Sequence, residues 1–421
     1  MDVLIKSAHL IDPGGPLHGL TRDILIRKGK IEAIGESLDG GGTPHLEGEQ
    51  LRVSPGWMDM GVQTGDPGFE HRENLQSAAA AAAAGGFTAI ACQPNTDPVL
   101  HSKSEVLYIL NNTRGQLVGF YPLGAVSRDC AGQDITEMID MHTAGALAFS
   151  DGKKPLQHDG LMLRALQYVR AFDGLVVNQP LDLEISGHGQ VHEGAVSTAL
   201  GLPGIPAIAE EMMVQRDLQL LEYTGSRLHL ANLSTAGAVQ LVRQAKQKGL
   251  RVTASVAVMN LVFDDAAVNT FDANFKLMPP LRGEEDQEAL KEGVLDGTID
   301  AISANHIPLE EELKKKEFSY AAFGITGLEV VYAICKTYLN GWMPDELFVQ
   351  LAALNPRKIF GLPIPHIEEG LPAELTVFSP TLKWAYSRDR VRSRSFNSPF
   401  LDKEFVGKPV AVINNDQLEI F

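Results

Sequence analysis

The chain has 421 residues and a net charge of −17, from 36 basic against 53 acidic side chains. Such acidity excludes a nucleic-acid partner, which needs a basic surface. No apolar run approaches the ~18 residues of a membrane span and Met1 to Lys6 has no leader pattern, so the expectation is a cytoplasmic protein without a membrane partner.

Residues 2–54 alternate short β-rich pieces, Val3 to Ile5 and Asp23 to Ile26 among them, with Gly/Pro turns, which predicts small antiparallel sheet. Glu73 to Ser77 followed by seven alanines, Ala78 to Ala84, predicts a slim helix stopped by Gly85-Gly86 and feeding a buried strand, Phe87 to Cys92. Helices are predicted over 104–112, 134–142, 161–171, 206–223, 236–247 and 284–295, each leading to a short apolar strand. The run Glu310 to Lys316 reads as a solvated helix face, and Arg388 to Arg394 as a basic surface strand. Leu375 to Phe378, Val410 to Ile413 and Leu418 to Phe421 return to the β texture of the start. Three scattered cysteines, Cys92, Cys130 and Cys335, match no metal or redox spacing and read as buried, reduced thiols.

About eight β-then-α units make an α/β chain with a TIM (β/α)8 barrel. The expected division is a barrel over 55–365 and a small β-sandwich domain built from 1–54 plus 366–421.

Several frames sit at the ends of predicted strands. They include Pro55-Gly56 leading to Asp66-Pro67-Gly68, then Ala83-Ala84-Gly85-Gly86-Phe87-Thr88, Pro94-Asn95-Thr96 and Phe149-Ser150-Asp151. Leu228 to Thr235, Lys276 with Pro279-Pro280-Leu281-Arg282, Phe323 to Glu329 and Asn397-Ser398-Pro399-Phe400 complete the series. Together they resemble the dihydroorotases, of the cyclic amidohydrolase superfamily, over nearly the whole chain. The resemblance implies a barrel hydrolase in which zinc polarises a cyclic amide and generates hydroxide, with an aspartate moving the proton.

The family's ligand positions carry over one at a time. Its paired histidines fall on Gly61 and Gln63, which period-two geometry places on one face of a strand. Its bridging acid falls on Asp151, its next two histidines on Asn178 and Asn232, and its last aspartate, ligand and general base, on Asn305. Amide oxygens are poor substitutes for imidazole on zinc, so the reading is of vestigial positions and no bound cofactor. The substrate side departs as well. Asn95 matches a family contact, whereas Gly65 replaces an arginine, Met278 an asparagine and Leu309 a histidine. His229 and His306 lie in the frames but off the ligand positions, as hydrogen-bonded structural histidines.

The expectation is a dihydroorotase-like protein of pyrimidine biosynthesis that has lost hydrolase activity and acts as a structural or regulatory subunit. It is expected to form a homo-oligomer and, as the resemblance implies, to have aspartate transcarbamoylase as its partner. The alternatives are an active dihydroorotase or other cyclic amidohydrolase with rearranged ligands, and a metal-free small-molecule sensor.

Overall fold

Apolar alternation at the chain's start forms β1 (Asp2–Leu10), β2 (Thr21–Arg27), β3 (Lys30–Gly35), β4 (His45–Leu46) and β5 (Arg52–Pro55) in the computed structural model, which describes residues 1–421. The barrel follows with β6 (Trp57–Val62), β7 (Phe87–Cys92), β8 (Gly119–Pro122) and β9 (Val176–Asn178). A two-residue pair outside it, β10 (Val191–His192) and β11 (Gly204–Ile205), precedes β12 (Leu228–Leu230), β13 (Val252–Ala257) and β14 (Ala301–Ser303). These strands run parallel, and Phe149 bridges Gly124 to Val176 as the remaining stave of eight. The ring closes where the Gln63 amide donates to the His306 carbonyl at 3.1 Å and the Asp59 carboxylate accepts the Ala304 amide at 2.7 Å.

Period-two alternation sorts the barrel strands. Met58, Met60, Ala89, Ala91, Val177 and Ala301 pack inside, while Trp57, Ile90, Cys92, Val176 and Val256 join the core beneath the helices.

Helices Ala236–Gln247 and Glu284–Leu295 span the predicted residues. The third helix begins only at Met138, because Ile135 pairs with Ser127 as a β-bridge and holds its neighbours extended. The alanine helix runs Leu75–Ala84 and opens on a capping box: Asn74 accepts the Ser77 amide at 2.8 Å while Ser77 accepts the Asn74 amide at 3.0 Å. Asn74→Ala is expected to lower unfolding free energy by about 1 kcal/mol in a urea titration. At its other end a Cβ on Gly85 would lie 2.2 Å from the Leu328 carbonyl oxygen, so only glycine permits that approach.

The last strands are β15 (Leu375–Ala385), β16 (Glu404–Asn414) and β17 (Gln417–Ile420). Both chain ends join one hydrogen-bonded sheet, ordered β17-β16-β15-β5-β1-β2-β3 with β4 on β1. Its β1 pairs with β4 and β5 are parallel, unlike the antiparallel arrangement predicted for the start. The junction is β5 against β15, with Val53 opposite Val377. Trp57, two residues beyond β5, locks it to the barrel: its ring meets Phe348 at 4.8 Å, Tyr332 at 5.3 Å and Phe378 of β15 at 5.3 Å.

Two charged segments also differ from their sequence readings. Lys314 is buried rather than on a solvated face, because its ammonium donates to the carbonyls of Ala273 (2.6 Å) and Ala322 (2.9 Å), and burial pushes its pKa down to about 7. Arg388–Arg390 forms a 3-10 turn instead of a strand. All three cysteines are buried free thiols, and no helix is long and apolar enough to cross a membrane.

Candidate functional site

The C-terminal ends of the barrel strands are where a parallel barrel places its chemistry. Here they enclose a cavity of about 20 Å³, lined by Met60, Gln93, Gln179, His229, Asn232 and Ser303 among others. That volume holds about one water molecule.

The register of β6 against β7 shifts between Asp59 and Val62, so Val62 packs outward and Gly61 borders the cavity with Met60. Alternation about Val62 puts Gln63 on the side of Gly61. A Cβ on Gly61 would meet the Gln93 amide nitrogen at 3.0 Å, so Gln93 fills the room of an absent side chain.

Asp151 is buried, but its carboxylate points to a neighbouring loop. It accepts the Ser127 amide at 2.9 Å and the Ser127 hydroxyl, and burial raises its pKa. The residue of that segment lining the cavity beside Ser150 is Gly152, at φ +62°, where a Cβ would fall 2.0 Å from the Asn95 Oδ1. Both ends of the Asn95 amide are taken: Nδ2 donates to the Asp151 carbonyl at 3.0 Å and Oδ1 accepts the Lys153 amide at 2.9 Å. Asn95 therefore clamps the 151–153 loop.

The three asparagines at ligand positions are committed in the same way. Asn178 donates to buried Asp217 at 2.7 Å and accepts the Leu156 amide at 3.2 Å. Asn232 accepts the Ser303 hydroxyl at 2.6 Å, and its Nδ2 lies 3.5 Å from Asn305 Oδ1. Asn305 donates to the Met278 carbonyl at 3.1 Å and accepts the ammonium of Lys153.

Lys153 is the group that sequence reasoning missed. Burial depresses its pKa to about 8, against the opposing pull of Asp59, whose own carboxyl burial raises. Its signal was the pair Lys153-Lys154 directly after the Asp151 frame, which gives no hint of which lysine turns inward.

The substrate positions follow suit. Gly65 has φ +69°, and a Cβ there would lie 2.3 Å from the Glu73 carbonyl oxygen, so an arginine is excluded without moving the Phe69–Glu73 turn. The Met278 side chain packs with Leu181, Ile205 and Ala209, and buried Leu309 donates its amide to Asn397 at 3.1 Å.

Both framed histidines are buried and hydrogen-bonded. His229 lies between the hydroxyls of Thr253 (2.9 Å) and Ser255 (3.1 Å), and burial pushes its pKa down to about 3. His306 Nε2 meets Glu73 at 3.3 Å, and its Nδ1 accepts the Leu328 amide at 3.4 Å.

No three His, Cys, Asp or Glu side chains converge anywhere to hold a metal. The zinc of the amidohydrolase fold needs imidazole or carboxylate donors. The residues present, a glycine, four amides and the single carboxylate of Asp151, which is turned to Ser127, do not fit it. What the arrangement supplies is a hydrogen-bonded mouth with one internal ammonium, that of Lys153, and the carboxylate of Asp151 turned away to Ser127.

A family model described as Dihydro-orotase-like matches residues 51–238. A dihydroorotase of Syntrophus aciditrophicus is 40% identical over 419 residues, 98% of each chain. One of Pelotomaculum thermopropionicum is 41% identical over 416 residues, 98% of this chain and 97% of that one. Among solved structures, the L-hydantoinase of Arthrobacter aurescens superposes with a TM-score of 0.86 at 24% identity, covering 100% of this chain and 97% of its own, which shows the shared fold. With frames, barrel and full-length relatives in agreement, the chain belongs to the dihydroorotase family of the amidohydrolase superfamily.

Proposed function

We propose that this chain is a dihydroorotase homologue of pyrimidine biosynthesis without hydrolase activity, serving as a structural or regulatory subunit. One observation carries the reading: where the family holds zinc, Gly61 has no side chain, Gln63 offers a neutral amide, Asp151, Asn178, Asn232 and Asn305 are already hydrogen-bonded inside the protein, and the cavity bordered by Gly61 and Asn232 is only about 20 Å³. Asn305 has the shape of the family's aspartate and accepts no proton. The same small volume weighs against a small-molecule sensor at the mouth, since a pyrimidine ring needs several times that space.

The vestigial set is Gly61, Gln63, Asp151, Asn178, Asn232 and Asn305, with Asn95, Gly65, Met278 and Leu309 on the substrate side. As a scaffold the chain forms homo-oligomers and engages aspartate transcarbamoylase. Full-length relatives named dihydroorotase favour the alternative of an active enzyme. It would require Lys153, at a pKa of about 8, to serve as the base.

Protein purified without chelator is expected to carry well under one zinc per chain, and EDTA is expected to leave its Tm unchanged, because nothing bound is removed. It is also expected neither to hydrolyse dihydroorotate nor to close carbamoyl aspartate. Turnover that persists through purification and disappears in Lys153→Met would replace this reading with the active-enzyme one. Independent elution of the chain and aspartate transcarbamoylase at micromolar concentration would remove that partner.

A further inference from the structure

The basic segment Arg388 to Arg394 does not lie flat on the surface. With the end of β15 and the middle of β16 it walls a cavity of about 470 Å³ that shares no lining residue with the barrel mouth. Arg390, Arg392 and Lys408 line it, and Trp384 and Tyr386 supply aromatic surface. The Lys408 ammonium stands 5.6 Å from the centre of the Trp384 ring.

No carboxylate forms an ion pair with these cations. The ion pairs nearby join Arg388 to Glu311 and Lys336 to Asp345, and none of the three cavity cations has a carboxylate within 4.0 Å. Two acids do line the cavity. Glu329 is buried and already accepts the backbone amides of Arg392 (2.9 Å) and Ser393 (3.1 Å), which fixes the loop that carries Arg392. Asp389 is exposed on the turn, where solvent screens its attraction to Arg390. Lys408 registers the imbalance: burial first, then the positive charges of Arg390 and Arg392, pull its pKa below the usual lysine range. In a chain of net charge −17, three cations that share one cavity and have no carboxylate in ion-pair contact need a reason.

We propose that this cavity is a binding site for a phosphorylated aromatic metabolite of nucleotide size, its phosphate held by Arg390, Arg392 and Lys408 and its ring against Trp384. Two guanidinium forks and an ammonium match the oxygens of a phosphate, an indole face offers a stacking surface, and the volume lies in the range of small-ligand pockets. The site goes beyond the scaffold reading and stands independently of it.

Isothermal titration of the full chain with a nucleoside 5′-monophosphate, the parent nucleoside and inorganic phosphate tests the proposal. The monophosphate is expected to bind and to weaken by about tenfold or more in Arg390→Ala/Arg392→Ala, two exposed side chains whose loss leaves Tm unchanged. Trp384→Phe is expected to weaken the nucleotide and leave inorganic phosphate unaffected. The proposal is overturned by the absence of nucleotide heat at millimolar concentration, by equal binding in the double variant, or by the parent nucleoside binding as tightly as its phosphate. Inorganic phosphate binding as tightly as the nucleotide overturns it too, as an adventitious ion only.

Discussion

Acidification from pH 6.5 to pH 3 is expected to remove about 5 kcal/mol of stability through His229 alone, each pH unit of separation between its folded and unfolded pKa being worth about 1.4 kcal/mol. The imidazole titrates near 6.5 when solvated and near 3 in the fold, where burial excludes its charged form and the charge of Lys246 adds to the effect. Between those values the unfolded chain binds a proton that the native chain refuses, so stability is full above pH 6.5 and drains away as pH falls. Several buried carboxyls with raised pKa values, Asp59, Asp151, Glu210 and Asp217 among them, act in the opposite direction. The measurement is therefore a difference: urea unfolding of wild type and His229→Gln at pH 7 and pH 4.5. Wild type should lose about 3 kcal/mol more than the variant across that interval. Parallel losses would mean that the imidazole is reached by water in the native state.

At the alkaline end Lys153 is expected to act in the reverse sense. Its ammonium is charged in both states below pH 8, and between about 8 and 10.5 only the unfolded chain keeps the proton. The native state then no longer bears the penalty of a buried charge, so stability rises with pH through that window, by about 3 kcal/mol. Lys153→Met keeps the stem, removes the ammonium and should abolish the rise. A rise of equal size in both proteins would place the Lys153 ammonium in solvent and leave the mouth without an internal cation. Asn305 is the group to watch in that variant, because it loses its charged donor while still bound to the Met278 carbonyl.

The barrel was legible because its strands and helices carry strong periodicity and clear stops, as in the alanine helix with its glycine pair and the helix Ala236–Gln247. The family was legible because its frames cluster at strand ends. Side-chain direction was not. A frame fixes where Asp151 lies in the chain, yet Ser127, from a different loop, decides where the carboxylate turns. Nor could the sequence reveal that Gln93 occupies the room beside Gly61 or that Asn95 occupies the room over Gly152, since these residues are neighbours only after the barrel closes. Lys314 was misjudged for a related reason: charge patterning describes a helix face only where a helix continues, and here it lasts four residues.

The junction of β5 with β15 has a consequence for synthesis. Val53 leaves the ribosome 324 residues before its partner Val377, a separation given by the pairing register. At about 5–20 residues per second that is tens of seconds during which β5 offers an unpaired edge and the apolar faces of β1 and β2 lack half of their sheet. Trp57 waits equally long for Phe378. The outer edge of β5 is thus among the last in its sheet to reach its native pairing, although β1, β2 and β3 pair locally, and in that interval acidic charge on the nascent chain opposes pairing of that edge with another copy.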